Sequence, residues 1–238
     1  MNLPLVCAVM ITNNRPELAA RASVCFRDQS YGPKRLLVLD SNVNDILGES
    51  TVGNALIKYC MRRLAGLSIG ALRNVANMLA IEEFNPDILI NWDDDDVSHP
   101  NRIASQVEQL QQSKAPAVGY QDLLWWDSAK GKAWLYENGS RHYCLGTSLC
   151  YWPETWNRNP FPDSNIGEWP EGAVGQYGLT SFVNGEPMII GEWHGKNGSN
   201  GGTTRSETPW KIGGECWKRK PEWDERLRER MALETTVR

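Results

Sequence analysis

A chain of 238 residues, 41% hydrophobic and 23% charged, is long enough to bury one sizeable core and has the composition of an ordinary globular protein. A formal net charge of −4 and a pI near 5.5 argue against a general nucleic-acid-binding surface. No apolar run approaches the ~20 residues that span a bilayer, and the short apolar N-terminus lacks a basic leader, so it reads as a first strand and not as a signal peptide.

Six cysteines stand at 7, 25, 60, 144, 150 and 216, none in a Cys-x-x-Cys pair. Cys7, Cys25 and Cys60 fall in apolar-periodic segments, which implies buried free thiols in a reducing cytoplasm. Of the eleven tryptophans, all but Trp92 follow residue 124, so the second half has a different character.

Residues 5–11 are continuously apolar and predict a buried strand. Thr12-Asn13-Asn14-Arg15-Pro16 follows as a loop, with Pro16 suited to a helix start and Asn14 to its cap. A helix over 17–27, a turn at 31–33 and a strand over 36–39 ending in Asp40 complete a β-α-β unit with a right-handed crossover. It lacks Gly-x-Gly-x-x-Gly, which excludes the common dinucleotide fingerprint. Residues 52–64 read as an edge strand or a short helix, and 71–84 as a better helix.

Then comes the stretch that stands out. Ile88-Leu89-Ile90-Asn91-Trp92 is apolar and strand-like, and it runs straight into Asp93-Asp94-Asp95-Asp96. Adjacent like charges repel, so the run must be well solvated or gathered about a cation, and carboxylate oxygens suit Mg²⁺ or Mn²⁺. A strand end at the carboxyl edge of an open α/β sheet is also where such folds bind ligands.

A helix over 102–112, strands over 117–126 and 133–136, and a turn at 130–132 extend the α/β alternation. Residues 145–151 read as a strand and 159–171 as an irregular Pro/Asn/Asp-rich loop. A late strand covers 186–191, followed by His194-Gly195-Lys196-Asn197. Residues 198–204, rich in Gly, Ser and Thr, read as a mobile loop suited to a lid. Residues 222–233 read as an exposed helix, docked weakly or used in association.

Five of these pieces, in order over about residues 5–200, resemble the family 2 glycosyltransferases of GT-A fold. They are Ile11–Pro16, the 23–41 segment ending in Asp40-Ser41, Gly70-Ala71-Leu72-Arg73-Asn74, the aspartate run with Pro100 behind it, and His194–Asn197. The resemblance implies an α/β fold with a single GT-A-like domain over 1–205. A mostly parallel, Rossmann-like nucleotide-binding half (1–100) precedes a mixed, loop-rich acceptor half (101–205), and a tail with a helix covers 206–238.

The resemblance also assigns roles. Asp95 and His194 hold Mn²⁺ or Mg²⁺ and Asp96 supports them. Thr12, Arg15, Asp40, Arg73 and Asp93 bind the donor nucleotide, most commonly a UDP-sugar. An inverting transfer needs a general base. The family's usual aspartate position holds Trp169 here, which leaves Glu168 as first candidate and Asp163 as second. Trp125, Trp126, Trp152 and Trp169 are candidates for stacking on an acceptor, which is a glycan, a small molecule, a protein or a modified DNA base. Two other readings compete: a nucleotidyltransferase, disfavoured because 12–16 has no glycine, and a catalytically inactive sugar- or nucleotide-binding module.

Overall fold

The computed structural model describes residues 3–42, 46–52, 55–61, 64, 66–194 and 214–236. Strands β1 (Val6–Thr12), β2 (Lys34–Asp40) and β5 (Ile88–Asn91) run parallel, with β1 in the middle. They are apolar on both faces because helices cover both. Ala8, Met10, Val38 and Ile90 share one core with α1 (Pro16–Arg27) and α3 (Arg102–Ser113). The alternate residues Cys7, Val9, Leu37 and Leu89 share another with α2 (Ile69–Phe84). Strand periodicity therefore sends each apolar run into two cores at once.

In the region expected in part as an edge strand or short helix, β3 (Ile46–Val52) and β4 (Ala55–Met61) form an antiparallel pair, and β4 extends the sheet parallel to β2. On the other side stand β7 (Ala117–Tyr120), β10 (Cys150–Tyr151) and β11 (Tyr177–Leu179). The eight-stranded order is β11-β7-β10-β5-β1-β2-β4-β3. The strand expected over 145–151 is shorter. Gly146–Ser148 is a 3-10 turn, and only the β10 pair joins the sheet, antiparallel to β5 and β7.

A second sheet takes β15 (Trp217–Arg219), β9 (Lys132–Glu137), β8 (Asp122–Asp127), β14 (Ile189–Trp193) and β6 (Val97–Ser98), in that order. A small hairpin, β12 (Phe182–Val183) and β13 (Glu186–Pro187), lies apart. Helix α4 (Pro153–Arg158) follows β10.

The C-terminal segment is better integrated than its composition suggests. β15 pairs with β9, and helix α5 (Asp224–Thr236) buries Leu227 and Met231 in the main core. Those two residues are four apart and share one face. Asp224 accepts from the Ala133 amide at 2.8 Å and pairs with Arg219, which ties the helix start to β9. The expectation of a weakly docked helix is thereby corrected.

Asn14 is not the cap of α1. It has φ +51°, a left-handed conformation that asparagine tolerates, and Arg15 stands at the N-cap with no side-chain cap. Cys7, Cys25, Cys144 and Cys150 are buried thiols outside any disulfide. No helix among the described residues is long and apolar enough to cross a membrane. The loop expected as a lid at 198–204, and residues 195–197 of the late motif, lie outside the described residues.

Candidate active site

Thr12, Asp40 and Asn91 close β1, β2 and β5 on one edge of the parallel sheet. From Asn91 the chain passes through Trp92 and the four aspartates to β6, which belongs to the second sheet. The acidic run thus bridges the two sheets at the carboxyl edge where open α/β folds bind ligands.

Trp92 pins it there. Its backbone amide donates to Val9 O at 3.0 Å and its indole N–H to Ala22 O at 3.0 Å. Its ring meets Phe26 edge-on at 5.8 Å, and the buried Arg102 guanidinium lies over it at 4.5 Å. Arg102 is fully engaged, donating to Asn91 O, Thr147 O, Ser98 Oγ and Gln106 Oε1.

The repulsion expected among four adjacent carboxylates is met by giving each at least one donor, with Arg15 shared between Asp94 and Asp95. Arg73 Nη2 donates to Asp93 at 2.8 Å. Thr12 Oγ1 donates to Asp94 at 2.6 Å and Arg15 Nη2 donates to it at 2.5 Å. Asp95 Oδ2 lies 3.3 Å from both Arg15 Nη1 and His194 Nε2. Thr147 Oγ1 donates to Asp96.

These partners sort the charges. Burial raises Asp96 well above the usual carboxylate range, with Asp95 and Asp93 adding to the effect. Burial and the charge on Asp95 push Asp94 up to about 7, against the pull of Arg15 and Thr12. Asp95 goes the other way: burial opposes its charge, but His194 and Arg15 together hold it below its ordinary value. Of Asp94, Asp95 and Asp96, only Asp95 is held toward its charged form, and it lies beside an imidazole.

That pair is a fit for a divalent cation of the kind a diphosphate brings. Among the described residues no three His, Cys, Asp or Glu side chains cluster tightly enough to cage a metal alone. Mg²⁺-type sites at phosphates commonly need only one or two protein carboxylates, the phosphates and water supplying the rest. Asp95 and His194 are two donors already converging, and an imidazole–carboxylate pair suits Mn²⁺.

Glu168 belongs to a loop seated on the N-terminus of α2. Ser68 caps that helix by accepting from the Ala71 amide and itself donates to Asp163. Ile69 N donates to Asn165 Oδ1 at 3.3 Å and Gly70 N to Ser164 O at 2.9 Å. The first amides of α2 are thus satisfied by the loop. Asp163 is exposed and spent on this cap.

Glu168 instead turns inward. Its Oε2 accepts from the Gly146 amide at 2.7 Å and its Oε1 from the Tyr143 hydroxyl at 3.0 Å. Burial raises its pKa, while these two donors and the charge of Arg73 act against the rise. Between the two sequence candidates the geometry favours Glu168: a carboxylate raised by burial, held by two donors, and facing Arg73.

Gly70 has a specific task here. A Cβ at this position would stand 1.9 Å from Pro162 O, a backbone atom that moves only with the whole loop. Gly70→Ala is expected to dislodge the loop that carries Glu168 and to lower the melting temperature, which thermal denaturation checks.

Asp40 accepts from the Asn14 and Asn42 amides, both at 3.1 Å. Beside it a cavity of about 200 Å³ is lined by Asn13, Ser41, Asn42, Leu64, Gly66, Leu67 and Leu72. Thr12 is not among these lining residues; it is only 5% exposed, with its hydroxyl committed to Asp94, so it positions the acidic run. Arg73 is also buried, but its Nε and Nη1 have no hydrogen-bond partner. Such orphaned donors beside a carboxylate run invite an anionic or carbonyl ligand group.

The tryptophan expectations need the largest correction. Trp169 is 2% exposed, stacked on Phe161 at 4.5 Å and edge-on to Tyr151 at 5.1 Å, with its indole N–H donated to Asn159 O. Trp126 is 5% exposed in the main core. Trp152 packs on that core and donates to Ala115 O; it follows Tyr151, which pairs with Leu89 and lies away from the carboxyl edge. Trp125 is half-buried, its ring against Gly191 and at 6.0 Å from Trp217. Three of the four are thus core side chains, placed by apolar area and not by an acceptor.

Sequence reasoning missed Thr147, Tyr143, Gly146, Arg102 and Arg21. Arg21 donates to Glu192 and to the Asp95 backbone carbonyl, so it joins α1 and β14 to the acidic run. None stands in a motif, and each acts on a residue far away in the chain.

No protein-family model matches the chain, and no curated protein matches it. Solved structures do match in fold. S. aureus TarS residues 1–349 in complex with UDP-GlcNAc superposes with TM-score 0.58 at 10% identity, covering 82% of this chain and 60% of that one. The same protein in complex with UDP gives TM-score 0.57 at 10% identity, covering 79% and 60%. The mannosyltransferase PcManGT from Pyrobaculum calidifontis, in complex with GDP-Man and Mn²⁺, gives TM-score 0.54 at 15% identity, covering 89% and 61%. The chain spans about 60% of the length of these structures. It has the mixed α/β fold, built on a parallel sheet, of a solved mannosyltransferase and of a solved UDP-GlcNAc-bound protein.

Proposed function

We propose that this chain is a metal-dependent glycosyltransferase, moving a sugar from a nucleotide-diphosphate donor to an acceptor hydroxyl with inversion. The carrying observation is the convergence of Asp95 and His194 at the carboxyl edge of the parallel sheet. The fold shared with proteins solved with UDP-GlcNAc and with GDP-Man and Mn²⁺ supports the donor class.

Asp95 and His194 hold Mn²⁺ or Mg²⁺. When bound, the cation neutralises charge developing on the departing diphosphate. Asp40 and the cavity beside it take the nucleoside, with the Asn13 and Asn42 side chains at its wall. Arg73 offers its unpartnered donors to the donor molecule, and Asp93 orients that guanidinium. Arg15 holds Asp94 and Asp95 together.

Glu168 takes the proton of the acceptor hydroxyl. The acceptor oxygen forms the new bond to the anomeric carbon from the side opposite the diphosphate, which leaves with the electron pair of the broken C–O bond. The GT-A-like domain organisation and a UDP carrier are part of the same reading. The buried thiols outside any disulfide support a reducing compartment such as the cytoplasm.

Incubation with a panel of UDP- and GDP-hexoses plus Mn²⁺, scoring release of the nucleoside diphosphate, tests the proposal. Release from one donor class is the expected result. Binding of a donor with no release under any acceptor would favour the inactive binding module instead.

A further inference from the structure

We infer that Tyr143 is a positioning residue for Glu168: its hydroxyl fixes one carboxylate oxygen and keeps the group ionised for proton abstraction. The inference rests on Glu168 as the base.

The geometry is specific. The Tyr143 hydroxyl donates to Oε1 at 3.0 Å while the Gly146 amide donates to Oε2 at 2.7 Å. One donor thus holds each oxygen, and the carboxylate cannot rotate without breaking both bonds. Each oxygen keeps a further lone pair for an incoming hydroxyl.

Tyr143 is itself held firmly. Its amide donates to Ser140 O, and the next residues are tied to β7 by the Leu145 amide on Tyr120 O at 2.8 Å. Gly178, adjoining it, has no room for a Cβ, which would lie 2.6 Å from Tyr143 O. Its ring meets Tyr136 of β9 edge-on at 6.4 Å, and Tyr136 meets Trp217 of β15 at 5.2 Å. The hydroxyl is therefore placed by both sheets, and the aromatic row of the second sheet acts as its backing.

Burial alone disfavours an ionised carboxylate at 168. Hydrogen bonds to the charged form act the other way. The charged and titratable groups around Glu168 are Arg73, which favours its charge, Asp93, which opposes it but is engaged by Arg73, Tyr143, and Cys144. Burial and the Glu168 charge raise the Cys144 thiol to about 12, and burial and Glu168 raise the Tyr143 hydroxyl beyond its ordinary range, so both stay neutral and Tyr143 stays a donor.

The experiment is a carboxyl titration by NMR on protein labelled with ¹³C at the glutamate side-chain carboxyl. The Glu168 signal is assigned by its disappearance in Glu168→Gln. In Tyr143→Phe, which removes one oxygen atom, Glu168 is expected to bind its proton roughly tenfold more tightly, a shift of about one unit upward. The acidic limb of nucleoside-diphosphate release from UDP-GlcNAc or GDP-mannose, whichever is turned over, moves up with it.

Replacing tyrosine by 3-fluorotyrosine keeps the shape and strengthens the donor, and is expected to shift Glu168 downward. An unchanged Glu168 titration in both proteins overturns the inference, whatever the rate does, because a merely structural tyrosine would lower turnover without moving the titration. Wild-type turnover in Glu168→Gln would remove the base reading, and the inference with it, so the two failures are distinguishable.

Discussion

Glu168→Gln is expected to lower sugar transfer by about 10²–10⁴-fold, the usual contribution of a general base, with nucleotide binding unchanged. The substitution keeps the shape of the side chain. Its amide oxygen can still accept from Gly146 N, and its NH₂ can donate to the Tyr143 hydroxyl oxygen, because a hydroxyl both donates and accepts. The loop on α2 therefore stays seated, and the loss falls on proton abstraction alone. Turnover measured beside nucleotide calorimetry separates the two.

The pH dependence follows from the same burial. As the proposed base Glu168 would work only when ionised, and burial lifts its pKa above the ordinary value, so wild-type turnover is expected to fall as pH drops through that raised pKa. The sign for stability is opposite to that of a salt-bridged carboxylate. A carboxyl whose folded pKa is raised binds its proton better in the native state, so stability is lost as pH rises through the window between the unfolded and folded values. At neutral pH Glu168→Gln removes that cost, and its melting temperature is expected to equal or exceed the wild type. Sites of chemistry commonly carry such a cost.

Asp95→Ala is the second large effect. Asp95 is held toward its charged form by His194 and Arg15, and its carboxylate lies 3.3 Å from the His194 ring nitrogen. Its removal is expected to weaken Mn²⁺ binding in the presence of nucleotide by at least about 100-fold, more than the loss of a group that merely orients a ligand. The electron paramagnetic resonance signal of free Mn²⁺ reports this directly. The fold should survive, because Arg15 keeps its bond to Asp94 and Trp92 keeps its anchors on Val9 and Ala22. Retention of wild-type Mn²⁺ affinity in a folded Asp95→Ala chain would place the cation elsewhere.

Much of the frame was legible because it follows from local physics. The runs at 5–11, 36–39 and 88–91 are apolar on both faces, as strands between two helical layers must be. The acidic run announced itself, since four adjacent carboxylates at a strand end are costly without a purpose. Other features escaped for reasons that are equally physical. Strand β6 has only two residues, too few for any period. Among its described side chains helix α5 buries Leu227 and Met231 in a charged sequence, a stripe too thin to read as docked.

Trp169 misled because direction within an extended loop is invisible in sequence. Its side chain enters the core between Phe161 and Tyr151, while that of Glu168, one residue earlier, turns to Gly146 and Tyr143. The partners of the aspartates and of Glu168 come from segments up to 99 positions away, as between Asp95 and His194, and only the folded chain brings them together.

The measurement that bears most directly on the whole account is calorimetric titration of the wild-type chain with UDP and with GDP, each with and without Mn²⁺. One of the two is expected to bind, with Mn²⁺ strengthening it. If neither nucleoside diphosphate binds, with or without Mn²⁺, the convergence of Asp95 and His194 is a structural contact of an acidic loop, and the glycosyltransferase reading is contradicted.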